Sequence, residues 1–226
     1  MALTEQRTWH AGGVTIRLAQ PADLPAALEV WRAAQAARGL RPNAARIARV
    51  EEKLATELVV LGVDALVVAL AVGEPHRDDP ERVHLSMLFV HPSRQREGIG
   101  TDVLEGFADE AWSRGFRTLS VWTRTPEFYE ACGLERTGAV DGEAVELLAE
   151  LEAPLRDLLV RSDGIRLGQL LKLAEMVDTG SEGKELLAEG GVEVNGEVEL
   201  RRGRQMVSGD VVSARDQSVR VVIGPA

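Results

Sequence analysis

The chain has a single cysteine, Cys132, in 226 residues. No internal disulfide can form, and the composition fits a reducing compartment. No apolar run approaches the length of a membrane-spanning helix. The first residues, MALTEQRTWHAGG, have no basic start followed by an apolar block, so no secretory leader is expected. Basic charge is also short. The 26 Lys and Arg stand against 36 Asp and Glu, for a net charge of −10, and such a surface repels a phosphate backbone unless its charges are segregated. Tyrosine occurs once, at Tyr129. No metal and no membrane partner are expected, and the protein reads as cytoplasmic. What is present is 45% hydrophobic residues, enough for one large core or two modest ones.

Val14 to Ala19 alternates apolar and polar residues, as a strand does. Asp23, before Leu24-Pro25, is placed to cap a helix carrying Leu28 and Trp31. A second helix is predicted near Asn43 to Leu58, where Ile47, Val50, Leu54 and Leu58 step by three and four. Asp64 to Val72 is apolar and β-branched enough for a strand buried on both faces. Glu74 to Arg82 is charged and proline-bearing, and reads as a solvated loop. Val83 to Val90 is a further strand. A helix after Gly100 buries Val103, Leu104, Phe107 and Ala111 and stops at Gly115. Thr118 to Thr123 is a strand, Pro126 to Gly133 a short helix, and two strands follow near Leu134 to Val140 and Ala144 to Leu151. Strands alternating with helices predict a mixed α/β sheet with layers on both faces.

Between the strand ending at Val90 and the next helix lies Gln95-Arg96-Glu97-Gly98-Ile99-Gly100. A glycine-bearing turn there exposes consecutive backbone N–H groups, and the helix start adds the positive end of its dipole. Gly98 and Gly100 lack Cβ, so a pyrophosphate can approach closely, with Arg96 at the rim. Alone, the pattern equally describes a helix-starting turn with two glycines. Neither a Gly-Lys-Ser/Thr ending nor the third glycine of a dinucleotide fold is present.

About thirty residues on lies Phe128-Tyr129-Glu130-Ala131-Cys132-Gly133-Leu134. With VHPSRQREGIG before it and FYEACGLERTG in the matching setting, Val14 to Leu151 resembles the GNAT acetyltransferase superfamily. The resemblance implies the acyl-coenzyme A N-acyltransferase fold and acetyl-coenzyme A as co-substrate. It implies a strand that splays from its neighbour and leaves free backbone groups near Leu88 and Val90 for the pantetheine arm and the acetyl carbonyl. It implies that Gln95, Arg96, Glu97, Gly98, Ile99 and Gly100 hold the pyrophosphate, and that Tyr129 protonates the departing thiolate. Two positions depart from the pattern. Thr123-Arg124-Thr125-Pro126 has no asparagine, and Glu97 puts a negative charge near the expected phosphates.

The acceptor amine needs a base. His84 and Ser86 share strand parity, so one is placed to face the cleft, and His84 is the candidate; Glu81 and Glu127 are alternatives. His91 reads as a solvated turn residue, and Cys132 as a small buried thiol. No motif identifies the acceptor.

After Pro154 the pattern changes. Leu167 to Val177 and Ser181 to Glu189 read as two short helices, and Val192 to Leu200 as a hairpin turning at Asn195-Gly196. Ile165 to Val222 resembles the RNA-binding domain first seen in ribosomal small-subunit protein four, through LGQLLKLA, Gly183-Lys184, VNGE and RRGR. The resemblance implies a small α+β domain, two helices and a hairpin, that meets RNA or a ribosome-related particle through Lys172, Lys184, Asn195, Arg201, Arg202 and Arg204. Yet residues 161–226 carry nine basic against eleven acidic side chains, a balance of −2. Glu193, Glu197 and Glu199 are placed on the opposite hairpin face. The domains are expected at 13–153 and 164–226, with a linker at 154–163.

Three functional readings follow. One is an N-acetyltransferase with a direct attack by a primary amine, brought to RNA by its second domain. Another is a non-catalytic RNA-binding regulator that senses acetyl-coenzyme A. A scaffold whose basic hairpin binds protein is a third reading.

Overall fold

The computed structural model describes residues 8–11, 13–160, 164–215 and 217–224, the side chains of residues 8–11 excepted. The chain separates into two units, Met1–Glu152 and Ala153–Ala226.

The first unit contains β1 (Thr8–Ala11), β2 (Val14–Leu18), α1 (Leu24–Ala37), α2 (Ala44–Thr56), β3 (Leu58–Asp64), β4 (Leu66–His76) and β5 (Asp79–Val90). It continues with α3 (Ile99–Ser113), β6 (Thr118–Thr123), α4 (Pro126–Ala131), β7 (Glu135–Asp141) and β8 (Ala144–Glu150). The strands form one eight-stranded sheet in the order β1-β2-β3-β4-β5-β6-β8-β7. All neighbours are antiparallel except β5 and β6. Alternate residues of the central strands are buried on opposite faces. Val59, Leu61, Leu70 and Val72 pack with Trp31 of α1 and Val50 and Leu54 of α2. Val60, Ala69, Ala71, Val83 and Leu85 pack with Val103, Phe107 and Ala111 of α3. A strand covered on both faces has no polar side, which is why the sequence here is an unbroken apolar run.

Three local expectations give way. Asp23 does not cap α1; its carboxylate instead meets the Arg17 guanidinium at 2.7 and 2.9 Å. The stripe ending at Leu58 concealed a strand, because Leu58 lies a helical step from Leu54 yet begins β3. β3 turns into β4 at Ala65, whose φ of +53° carries no glycine signal. The charged segment 74–82 is the end of a hairpin rather than a loop, with His76 opposite Asp79.

The β4–β5 pairing shifts between Val72↔Met87 and Gly73↔Leu85, so Ser86 is an extra residue in β5. A Cβ on Gly73 would stand 2.5 Å from Phe107 Cζ and 2.7 Å from the His84 carbonyl oxygen. Only glycine lets α3 press this closely on the bulge.

The second unit contains β9 (Leu155–Val160), β10 (Ile165–Arg166), α5 (Leu167–Leu173), α6 (Gly180–Ala188) and β11 (Val192–Val194). β12 (Glu197–Val198), β13 (Gln205–Met206), β14 (Val211–Ala214) and β15 (Gln217–Ile223) complete it. The expected linker, 154–163, is largely a strand: β9 pairs in parallel with β15, from Leu155↔Ser218 to Val160↔Ile223. Residues 161–163 lie outside the described residues. The expected hairpin is thereby part of a five-stranded sheet, β12-β11-β14-β15-β9. Leu167, Leu170, Leu171 and Leu187 from the helices bury against Val192, Val194, Val212 and Val221. Asn195 and Gly196 have φ of +55° and +79°, the pair of left-handed positions a two-residue hairpin needs. Among the described residues no helix is long and apolar enough to cross a membrane.

Candidate active site

β5 pairs with β6 only from Arg82↔Thr118 to Leu85↔Val121. Its pairing with β4 continues to Val90↔Ala69. From Ser86 onward the β6-facing edge of β5 therefore has no strand partner, and the sheet opens at its middle. The side chains of Leu88 and Val90 line a cleft of about 380 Å³ at this opening.

The α3 end of the cleft is a run of backbone donors. Arg96 (φ +68°) and Gly98 (φ +83°) are left-handed, so the chain curls before the helix begins at Ile99. Thr101 N–H donates to the Gly98 carbonyl at 2.9 Å. The N–H groups of Arg96, Glu97, Gly98, Ile99 and Gly100 have no acceptor among the described residues. Five amides and the positive end of a 15-residue helix dipole converge here, which is what an anion needs. Gln95, Arg96, Gly98, Ile99 and Gly100 line the cleft; Glu97 does not. Glu97 instead accepts from Arg94 Nε at 2.7 Å, while Arg94 Nη1 donates to Asp64 at 2.6 Å. Sequence reasoning missed Arg94, Thr101, Thr125 and Phe128, all of which line the cleft. The nearness of Thr101 to the glycines was a usable signal. Arg94 had none, because its partner Asp64 is thirty residues away.

Tyr129, from α4, closes the far wall. It is 9% exposed and meets the Phe128 ring edge-to-face at 5.0 Å between centroids. Burial pushes its hydroxyl up to about 12, with the nearby Cys132 adding to the rise and Arg38 opposing it. The phenol therefore keeps its proton at neutral pH. Cys132 is half-buried, its sulfur 3.9 Å from Thr101 Oγ1.

His84 does not reach this cleft. A period of two places residues 84, 86, 88 and 90 on one face, but the extra residue at Ser86 reverses the alternation. Val83 and Leu85 pack on the α3 side before the bulge, and Leu88 and Val90 do so after it. His84 sits on the other face, its Nδ1 3.4 Å from Ser120 Oγ. Burial lowers its pKa, and the imidazole is neutral. Glu81 and Glu127 are exposed and line neither the cleft nor the cavity described next. On the α1/α2 face the bulged Ser86 hydroxyl lies 3.2 Å from two acceptors, Glu57 Oε2 and the Val72 carbonyl oxygen, which share its one proton. Glu57 also accepts from Lys53 Nζ at 2.7 Å, and Lys53 donates to Glu74 at 3.0 Å. Burial raises Glu57 above the ordinary carboxylate range despite its lysine. Ser86 also borders a second cavity, of about 630 Å³, beneath α2. Among the described residues no cluster of His, Cys, Asp or Glu is arranged to hold a metal.

In the second unit the basic residues divide. Lys172, Lys184 and Arg202 are exposed and have no ion pair among the described residues. Arg201 and Arg204 do not form a free cluster. Both bind the carboxylate of Glu199, at 2.8 and 3.0 Å. Glu199 is not on the opposite hairpin face; it is buried beneath the two arginines, and Arg201, first of all, holds its carboxyl far below its usual range. The Asn195 amide is engaged within the domain, donating to Asp210 at 2.9 Å and accepting from the Val211 N–H at 2.8 Å. It shapes the turn.

Comparison with known proteins agrees with both halves. The family described as the acetyltransferase (GNAT) family matches residues 26–134, and the S4 domain matches residues 158–222. A crystal structure assigned to the GNAT acetyltransferases from Desulfovibrio desulfuricans superposes with a TM-score of 0.53. It is 18% identical, over 61% of this chain and 99% of that one. An aminoglycoside 6'-N-acetyltransferase complexed with coenzyme A gives 0.50 at 18% identity, over 60% of this chain and 96% of that one. At this identity they establish the fold. The Bacillus subtilis protein named "Probable ribosome maturation protein RlbA" is 45% identical over 53 residues, 24% of this chain and 75% of its own.

Proposed function

For a chain that belongs through residues 26–134 to the acetyltransferase (GNAT) family and carries an S4 domain over residues 158–222, we propose that it moves an acetyl group from acetyl-coenzyme A to a primary amine by direct attack, and that its second unit associates with RNA or a ribonucleoprotein. The observation that carries the first part is the run of five unpartnered amides, Arg96 to Gly100, beside an opening in the sheet.

Acetyl-coenzyme A supplies the activated acetyl carbon as a thioester. The amides at the start of α3 bind its diphosphate, and the unpaired β5 edge from Ser86 to Val90 orients its pantetheine arm. An amine approaching from the α1/α2 face gives up a proton through Ser86, which borders the cavity, to Glu57 behind it, and its nitrogen bonds to the acetyl carbon as the carbon–sulfur bond breaks. Tyr129 gives its proton to the leaving sulfur and recovers one from solvent, so the net transfer is one proton from nitrogen to sulfur. A buried phenol that keeps its proton inside the cleft favours turnover over ligand sensing alone. Calorimetry of the full chain with coenzyme A, then thiol release with amines, tests this; no heat from coenzyme A or its acetyl ester overturns it.

RNA association is supported by the S4 match, by the likeness to a protein named for ribosome maturation, and by Lys172, Lys184 and Arg202, which are exposed and without an ion pair among the described residues. Binding of short structured RNAs measured over a range of salt tests it; binding without salt dependence overturns a phosphate-reading face.

A further inference from the structure

The second cavity, of about 630 Å³, lies on the α1/α2 face of the first unit. Arg46, Arg49 and Lys53 of α2 line it at intervals of three and four, so one helix face supplies all three cations. Trp31, Met87 and Phe89 give it an apolar wall. Among the described residues no carboxylate lines it, in a chain of net charge −10. The three cations are not equivalent. Lys53 is offset by Glu57 and Glu74, whereas Arg46 and Arg49 have no ion pair or side-chain hydrogen bond among the described residues. Two uncompensated guanidinium groups over an apolar wall form a site for an oxyanion attached to a carbon skeleton.

The position of the cavity links it to the chemistry. Ser86, Met87 and Phe89 border it, and the intervening Leu88 and next residue Val90 line the first cleft. The two spaces lie on opposite faces of the same five residues of β5, where β6 has already diverged. A molecule in the basic cavity reaches the thioester through that opening, past the Ser86–Glu57 pair.

We infer that Arg46 and Arg49 bind a carboxylate or phosphate carried by the acetyl acceptor, so that the acceptor is a small anionic amine. This rests on the acetyl-transfer reading above. The guanidinium groups anchor the anionic end and leave the amine at the bulge. Their positive charge also disfavours the ammonium form of the acceptor, easing loss of the proton that must leave before attack. The cavity volume is that of a small-molecule site rather than of a nucleic-acid groove.

The test uses the full chain with acetyl-coenzyme A and follows thiol release. Glutamate, an aspartyl dipeptide and phosphoethanolamine are compared with the matching amides, with ethanolamine and with a short single-stranded RNA. The anionic amines are expected to exceed their neutral counterparts at least about tenfold in kcat/KM, and the carboxylate and phosphate arms identify the oxyanion. Arg46→Gln and Arg49→Gln should each raise the KM of the preferred anionic amine by about tenfold, with the KM of acetyl-coenzyme A unchanged. Arg49→Lys should retain the preference, and the double change Arg46→Glu with Arg49→Glu should shift it toward cationic amines. Equal or better use of neutral amines, transfer to RNA alone, or no transfer to any anionic amine overturns the inference if calorimetry still detects coenzyme A. Loss of coenzyme A binding itself removes the acetyl-transfer reading, and the acceptor site with it.

Discussion

Arg94 Nε lies 2.7 Å from Glu97 Oε2, and the same guanidinium reaches Asp64 at 2.6 Å. The carboxylate that the sequence sets among the amides proposed to bind the diphosphate is thus held outside the cleft by a cation shared with β3. Its field is offset by a neighbour and its side chain is turned aside, so the proposed anion site is compatible with an acidic residue in the loop.

Replacing Arg94 with alanine should therefore release an uncompensated charge beside the amides. Coenzyme A affinity should fall by about threefold to tenfold, more at low salt than at high. Glu97→Gln in the same chain should restore most of it. Isothermal titration at two ionic strengths reads both effects; equal loss in the double variant assigns the effect to Arg94 contacts alone.

Tyr129→Phe should lower kcat by about a hundredfold while coenzyme A binds as before. Because burial pushes the Tyr129 hydroxyl up to about 12, its donor form persists until the solution approaches that value. The alkaline side of the rate profile should show no loss near pH 10, where an ordinary tyrosine ionises. A break at that point identifies a different proton donor.

As the proposed base Glu57 acts in its carboxylate form, and burial raises its pKa. The rate should be present above that raised value and lost as the pH falls through it, earlier than an ordinary glutamate would dictate. Glu57→Gln should cost about a hundredfold or more in kcat and remove that acid limb. His84→Asn, on the same face but outside both cavities, should leave the limb in place. Loss of the limb in the His84 variant reverses the assignment.

In the second unit Arg202→Ala should lower the logarithmic salt slope of RNA binding by about 0.7, one phosphate contact on a single strand. Arg204→Ala should act differently. It removes one of two cations over buried Glu199 and should lower the melting temperature of the full chain's second transition by several degrees. Glu199 is held ionised far below its usual range, so its pairs support folding at and above ordinary carboxylate pH and weaken only in stronger acid. Calorimetric scans of Glu199→Gln check this: a transition unmoved from the parent's at neutral pH means the pairs contribute nothing.

The glycine-bearing loop that lines the cleft was legible because its determinants are contiguous. Gln95 to Gly100 sit between a strand and an amphipathic helix, and the glycine at a left-handed φ is written in the residue type. Tyr129 was legible through its place before Cys132-Gly133, and the Asn195-Gly196 turn through its two residues. The reversal of facing along β5 was not, since it depends on the one-residue shift at Ser86, where Phe107, thirty-four positions from Gly73, packs against that glycine. Nor was β9, whose six residues, LRDLLV, gain their partner from β15, some sixty residues later.

The sequence by itself determined the two-part organisation, the helix and strand periods, the turns and the glycine-bearing loop before α3, because each depends on backbone preferences and hydrophobic spacing within a few residues. Tertiary structure alone decided which charges are free. Glu199 neutralises Arg201 and Arg204, Arg94 neutralises Glu97, and Glu57 meets Ser86 across twenty-nine positions, while Arg46 and Arg49 have no ion pair among the described residues. Charge pairing is set by distance in space, and that distance exists only after the sheet has brought remote segments together.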